Sequence, residues 1–195
     1  MHPVLNRNLY LVKEHVGVFK VKGNYDVFDP DTGAEILRCR EERIGMLTKI
    51  LRLTDYGTMA PFHVDVETPE GEQVLSVKRG FSVMRSRVDV LNESDERVGG
   101  FKQKLLSIGG AFRVLGEDDR ELCQLKGKWT GWDFRFEADG VPLARVSKKW
   151  AGIGREMFTS ADNYVLHIED SVPPDNPIRT LIFAAVISID KVLKE

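Results

Sequence analysis

The side chains able to do bond chemistry are scattered through this sequence at spacings that suit no catalytic device. Its four histidines, His2, His15, His63 and His167, stand alone, and no two lie four residues apart beside a glutamate, as a helix-borne zinc hydrolase site requires. Gly152-x-Gly154 lacks the third glycine and the strand-to-helix setting of a dinucleotide-binding turn, and neither a P-loop nor a Gly-x-Ser-x-Gly nucleophile elbow occurs. Asp29 and Asp31 are paired carboxylates, but they flank Pro30 just ahead of Gly33, where acids act as turn formers. No catalytic residue is expected, and the reading is non-enzymatic.

What the sequence does offer is cations beside aromatic rings. Arg145, Lys148, Lys149 and Arg155 bracket Trp150, and Trp129 and Trp132 precede them with Lys126 and Lys128. A headgroup-binding surface needs this mixture, because the charges attract phosphate and the indoles favour the water–lipid boundary. A second basic cluster, Lys78-Arg79 with Arg85 and Arg87, falls on a hairpin, where such residues ordinarily face solvent. The 28 basic and 30 acidic residues leave a formal charge of -2, so the chain lacks the overall positive field expected of a nucleic-acid binder. Any anion-binding surface is therefore local.

These residues need a scaffold, and the strongest periodic signal is a hairpin: alternating apolar residues, a polar turn, then a second alternating run. It recurs five times, around Asp29-Pro30-Asp31-Thr32-Gly33, Pro69-Glu70-Gly71, Glu93-Ser94-Asp95-Glu96, Glu117-Asp118-Asp119 and Asp139-Gly140. Each turn supplies side chains that bond their own backbone or residues that tolerate positive φ. Such a meander closes into a barrel, which removes exposed edges. Between the first two hairpins, Ile44, Leu47, Ile50 and Leu51 recur at helical spacing and suggest a short helix within 41–53. Cys39 and Cys123 lie far apart in apolar strand contexts and read as buried free thiols, which places the chain in the cytoplasm. Met1 to Tyr10 lacks the pattern of a secretory signal, and His2 excludes a myristoylation site.

The last segment differs in kind. Pro173-Pro174-Asp175-Asn176-Pro177 breaks the preceding strand, offers Asn176 as a helix N-cap and places Pro177 at the first helical position. The helix expected over about 177–193 is apolar all round: Phe183, Ala184 and Ile187 lie opposite the stripe that runs through Leu181, Ile182 and Ala185, so it must be surrounded. Between Arg179 and Asp190 the uncharged run is about half of what a bilayer crossing requires. The helix is therefore expected inside the barrel.

Residues Ser147-Lys148-Lys149-Trp150-Ala151-Gly152 lead to Arg155-Glu156-Met157-Phe158-Thr159 and then to Ala161-Asp162-Asn163-Tyr164. This order resembles that of the phospholipid scramblase family, within the tubby-like superfamily that includes the plant LURP-one-related proteins. Looser similarity, as at Gly99-Gly100-Phe101 and Ile108-Gly109-Gly110, extends from about Phe19. The resemblance implies a mainly β fold (α+β), a closed antiparallel barrel of about twelve strands around a buried C-terminal helix. The expected organisation is a single domain over 1–195, with the barrel over about 19–172. The palmitoylated cysteine cluster of the eukaryotic scramblases has no counterpart here, and stable anchoring usually takes two lipid signals.

The family's proposed calcium segment falls on Ser160 to Ser171. Ser160 replaces the first acid and Val165 the glycine, leaving Asp162, Asn163, Glu169 and Asp170, fewer oxygens than calcium takes. Of these Asp162, Asn163 and Asp170 are the only calcium candidates, and no cofactor is expected. The resemblance implies binding of anionic phospholipid headgroups at Arg145, Lys148, Lys149, Trp150 and Arg155 by a protein peripheral to the membrane. The alternative is a regulatory domain of the tubby and LURP-one type with an unidentified protein partner and no lipid translocation.

Overall fold

Alternation in the sequence is realised strand by strand. A computed structural model describes residues 1–14, 24–41, 61–80, 87–103, 112–128, 132–148 and 163–193. They form twelve strands: β1 (Leu9–Glu14), β2 (Tyr25–Phe28), β3 (Glu35–Glu41), β4 (Phe62–Glu67), β5 (Gln73–Arg79), β6 (Arg87–Asn92), β7 (Arg97–Gln103), β8 (Phe112–Gly116), β9 (Glu121–Lys128), β10 (Asp133–Ala138), β11 (Val141–Ser147) and β12 (Asn163–Ile168). A helix, α1 (Pro177–Leu193), follows. The strands run antiparallel in chain order around a closed barrel. Closure is made by β1, where Val12 lies opposite Val27 of β2 on one side and Tyr164 of β12 on the other.

The five expected hairpins are β2–β3, β4–β5, β6–β7, β8–β9 and β10–β11. One strand escaped the pattern, and the barrel starts ahead of the expected residue 19. Tyr10, Leu11 and Val12 of β1 are all buried, so this strand is apolar on both faces and shows no alternation. The helix expected within 41–53 lies outside the described residues beyond Glu41, which ends β3.

All five hairpin turns lie at one end of the barrel, together with the chain between β12 and α1. The strand ends flanking 15–23, 42–60, 81–86, 104–111, 129–131 and 149–162 lie at the other. We call these the turn end and the connection end. At the turn end the local chemistry follows the sequence: Asp29 Oδ1 accepts the amides of Asp31 (2.8 Å) and Thr32 (3.2 Å), and Asn92 Oδ1 accepts those of Ser94 and Glu96 (both 2.9 Å).

The helix fills the barrel. Asn176 Oδ1 caps it by accepting the Ile178 amide at 3.0 Å, and Leu181 to Ile189 are buried without exception, including Phe183, Ala184 and Ile187 on the face opposite the main stripe. Phe183 meets Tyr10 with ring centroids 5.3 Å apart. Close approach to β7 depends on Gly99: a Cβ there would stand 2.3 Å from the Leu115 carbonyl oxygen and 2.8 Å from Leu181 Cδ2. Among the described residues no helix is long and apolar enough to cross a membrane.

Arg179, one of the charges that bounds the apolar run, is itself only 2% exposed. Its Nε donates to the Pro173 carbonyl (2.9 Å), Nη1 to those of Asn6 (3.3 Å) and Arg7 (3.0 Å), and Nη2 to Asn8 Oδ1 (2.8 Å) and the Val172 carbonyl (2.5 Å). A buried cation is tolerated when its donors are used. Here they tie the first turn of α1 to the chain entering β1, beside the 3-10 turn Pro3–Asn6 that buries Leu5.

Candidate functional site

Outward positions of β9 to β12 bring together three cations and a histidine that the sequence separates. Strand register places Lys126 opposite Arg135, Arg135 opposite Arg145, and Arg145 opposite His167. Four basic groups thus form one row across four strands, while Phe134, Phe136, Ala144, Val146 and Leu166 point inward. The row runs obliquely to the barrel ends: Arg145 lies two residues from the connection end of β11 and Lys126 two from that of β9, about 7 Å at strand rise, whereas His167 lies one residue from the turn end of β12. Lys148, half-buried, directly follows β11.

Carboxylates on the neighbouring rows balance these charges. Glu137 takes Lys126 Nζ at 2.8 Å and also pairs with Arg135; Asp133 takes Arg145 Nη2 at 3.3 Å; Glu169 lies 3.7 Å from His167 Nδ1. The Lys126 hydrogen bond, opposed by some desolvation and helped by the Arg135 charge, holds the Glu137 carboxyl below its ordinary value. Even so, Arg135 and Arg145 keep 61% and 57% of their side chains exposed, which leaves them accessible to an anion.

Of the expected headgroup residues, Arg145 and Lys148 lie at this end of β11, while Lys149, Trp150 and Arg155 lie outside the described residues. Trp129 does too. Trp132 is described and is a core residue, 4% exposed and stacked on Tyr164 with centroids 3.9 Å apart and planes inclined by 13°. The second basic cluster needs a correction. Arg79 does not face solvent: it points inward, is 3% exposed, and lies over the Phe62 ring at 4.8 Å. Register decides this, since Arg79 shares the inward face of β5 with Leu75 and Val77. Lys78 pairs with Asp95 at 3.1 Å, and Arg85 lies outside the described residues.

Arg87 belongs to an alternating network that sequence reasoning missed. Its Nη1 and Nη2 reach both Asp119 oxygens (3.0 and 2.8 Å), Arg97 Nη2 shares Asp119 at 2.7 Å, and Asp89 bridges the two arginines at 3.1 and 2.8 Å. Against a desolvation that favours its neutral form, Arg87 and then Arg97 hold the Asp119 carboxyl low. No local spacing signals this group, because Arg87, Arg97 and Asp119 come from three different elements.

The calcium candidates do not share a place. Asn163 opens β12 at the connection end, whereas Asp170, which accepts from Asn8 Nδ2 at 2.6 Å, lies beyond the other end of that strand. About 16 Å of β12 separates them, several times a metal–oxygen bond. Asp162 lies outside the described residues.

Among the described residues, a void between α1 and the wall, lined by Phe101, Phe112, Leu125, Ala185, Ser188 and Ile189, measures about 10 Å³, the space of a single water. A polar groove of about 400 Å³ opens on the outer wall where β9 diverges from the β10–β11 turn, lined by Glu121, Gln124, Lys126, Glu137 and Asp139. Of the two thiols, Cys123 is pushed up to about 12 by burial, then by the Glu121 charge, and burial raises Cys39 as well, so neither is a nucleophile. The described histidines each sit beside a carboxylate, His2 by Glu72, His63 by Asp65 and His167 by Glu169.

A family model described as Scramblase matches residues 10–194, nearly the whole chain. The chain belongs to the scramblase family. Among similar proteins, Altered inheritance rate of mitochondria protein 25 of Saccharomyces cerevisiae is 23% identical over 214 residues, covering 96% of this chain and 64% of that protein. A phospholipid scramblase family protein of Schizosaccharomyces pombe is 26% identical over 182 residues, covering 84% of this chain and 47% of that protein. This scramblase-family chain thus spans roughly half to two-thirds of the length of these relatives. Its fold is also that of a protein from Arabidopsis thaliana solved by X-ray crystallography, with a TM-score of 0.57 at 15% identity over 98% of this chain and 96% of the other.

Proposed function

We propose that this scramblase-family barrel binds anionic phospholipid headgroups through the basic row Lys126–Arg135–Arg145–His167 and the β11 end at Lys148. The row carries the reading: Lys126, Arg135 and Arg145 from three adjacent strands, with His167 from a fourth, converge on one outward strip, and the two central guanidiniums remain accessible. Bidentate guanidinium donors suit phosphate oxygens. Of the expected companions, Lys149 and Trp150 directly follow Lys148 in the chain and Arg155 comes seven positions after it.

Association is peripheral in this reading. Outward strand positions such as Arg40, His63, Asp65, Arg135 and Arg145 are polar, the reverse of the apolar outer band of a membrane-spanning barrel. Translocation needs a polar path through the hydrocarbon, and the barrel interior is largely apolar and occupied by α1. Each basic residue near an anionic surface contributes about 1 kcal/mol, so combining Arg135→Gln with Arg145→Gln is expected to weaken binding roughly thirty-fold. Co-sedimentation with phosphatidylcholine vesicles, with and without phosphatidylserine, measures it. Equal pelleting with neutral and anionic vesicles, or none with either, would overturn the reading in favour of a protein-interaction role.

A further inference from the structure

A closed barrel has no edge strand, yet its stagger leaves strand ends that outrun their neighbours. At the turn end three of these steps are bridged. Arg38 Nη1 donates to the Pro69 carbonyl at 3.1 Å, Arg97 Nη1 to that of Glu117 at 2.7 Å, and the Glu169 amide to that of Leu143 at 2.9 Å. The step beside β9 is open. Toward this end the last β9 residue paired with β10 is Gln124, opposite Glu137, because β10 already turns into β11 through the two-residue loop Asp139-Gly140, both residues with positive φ. Glu121 to Cys123 run on for about 10 Å with strand pairing to β8 alone.

The polar groove of about 400 Å³ occupies this step. Cys123 lines it although its side chain belongs to the core and the residue is 2% exposed, so what β9 presents there is main chain. Beside it stand Leu122 and Val141, 37% and 53% exposed, two of the three large apolar side chains exposed among the described residues. An unpaired strand edge next to exposed apolar side chains is what an incoming extended chain requires: main-chain hydrogen bonds supply affinity, and alternate side chains supply choice.

Charge selects the occupant. Three carboxylates, Glu121, Glu137 and Asp139, line the groove with one cation, Lys126. Arg113, which pairs with Glu121 at 3.2 Å, stands on β8, across β9 from the groove, and Asp139 pairs with no cation among the described residues. A second copy of the chain, added to β9 through a twofold axis, would set Glu121 and Asp139 near their own counterparts, a repulsive arrangement. We propose that the groove receives an extended basic peptide segment of a partner protein, which adds to the β9 edge at Glu121–Cys123, sets an apolar side chain against Leu122 and Val141, and turns lysine or arginine toward Glu121 and Asp139. This site stands apart from the headgroup reading, since it shares with the basic row only Lys126, which Glu137 holds at 2.8 Å.

The test is an NMR titration of the isotope-labelled protein, without lipid, with the end-blocked peptide Lys-Val-Lys-Val-Lys. Amide resonances of Glu121 to Cys123 and of Asp139 to Val141 are expected to shift, and the peptide Glu-Val-Glu-Val-Glu is expected to leave them in place. Alternate amides of an extended chain point to opposite edges, so of two versions, N-methylated at the lysines or at the valines, one is expected to lose binding and the other to keep it. Combining Glu121→Lys with Asp139→Lys is expected to weaken binding of the basic peptide about ten-fold. Equal shifts with the acidic peptide overturn the choice of a basic occupant, and binding by both N-methylated versions overturns strand addition. Shifts at these residues that follow protein concentration without peptide give the edge to a second copy instead, and no shift there with the basic peptide overturns the site.

Discussion

The guanidinium of Arg179, in the first turn of α1, donates to the Val172 carbonyl at 2.5 Å, from within a plug that is largely apolar. The same side chain reaches Asn6, Arg7 and Asn8, so one residue joins the C-terminal helix to the chain entering the first strand. The barrel is thereby fastened at the point where its first strand and its helix begin. Four measurements bear on the forces that hold this arrangement.

Removing the guanidinium leaves several buried carbonyls unsatisfied, each costing about 1–3 kcal/mol. Arg179→Met is therefore expected to lower unfolding stability by about 3 kcal/mol or more, and Arg179→Lys, with three donors instead of five, by less. Urea unfolding midpoints rank the three proteins. Equal midpoints for wild type and Arg179→Met would show that the carbonyls find other partners.

Gly99 tests how closely the helix is held. Gly99→Ala drives a methyl against the Leu115 carbonyl and Leu181, an overpacking expected to cost about 1–3 kcal/mol. Adding Leu181→Ala is expected to give no rescue of the backbone clash, so the double variant should be less stable than either single one. Thermal denaturation of the three variants decides it.

Acid should loosen the β2–β3 turn. Hydrogen bonding from the Asp31 amide, opposed by desolvation and then reinforced by the Thr32 amide and Arg7, lowers the Asp29 pKa. A carboxyl with a depressed folded-state pKa adds stability that is complete above its unfolded value, about 3.9, and is lost as pH falls through the folded value. Asp29→Asn keeps an acceptor for the turn amides but removes the charge. Its unfolding free energy is expected to vary less with pH below about 4 than that of the wild type, and parallel pH profiles would contradict this.

Thiol reactivity reports on the core. With Cys123 raised to about 12 and Cys39 also raised by burial, the folded protein should react with a thiol reagent at mildly alkaline pH far more slowly than a free cysteine. Both thiols should titrate at once in denaturant. Rapid modification of the native protein would mean that β3 or β9 opens locally.

Much of the architecture was legible in the chain because the forces that shape it are local. Turn chemistry around Asp29, Asn92 and Asp139-Gly140, the period of two in strands such as β4, and the cap and all-round apolarity of α1 depend on residues a few positions apart. These features determined a meander of hairpins followed by a helix that had to be enclosed. Tertiary structure decided the rest: that β1 closes the ring, that Arg79 turns inward while Lys78 turns out, and that Arg179 spends its donors on residues as far as 173 positions away. It also gathered Lys126, Arg135, Arg145 and His167 into one row. The physical reason is that register and closure are set by contacts between distant strands, and a sequence period constrains which face a side chain takes without saying which neighbour it meets there.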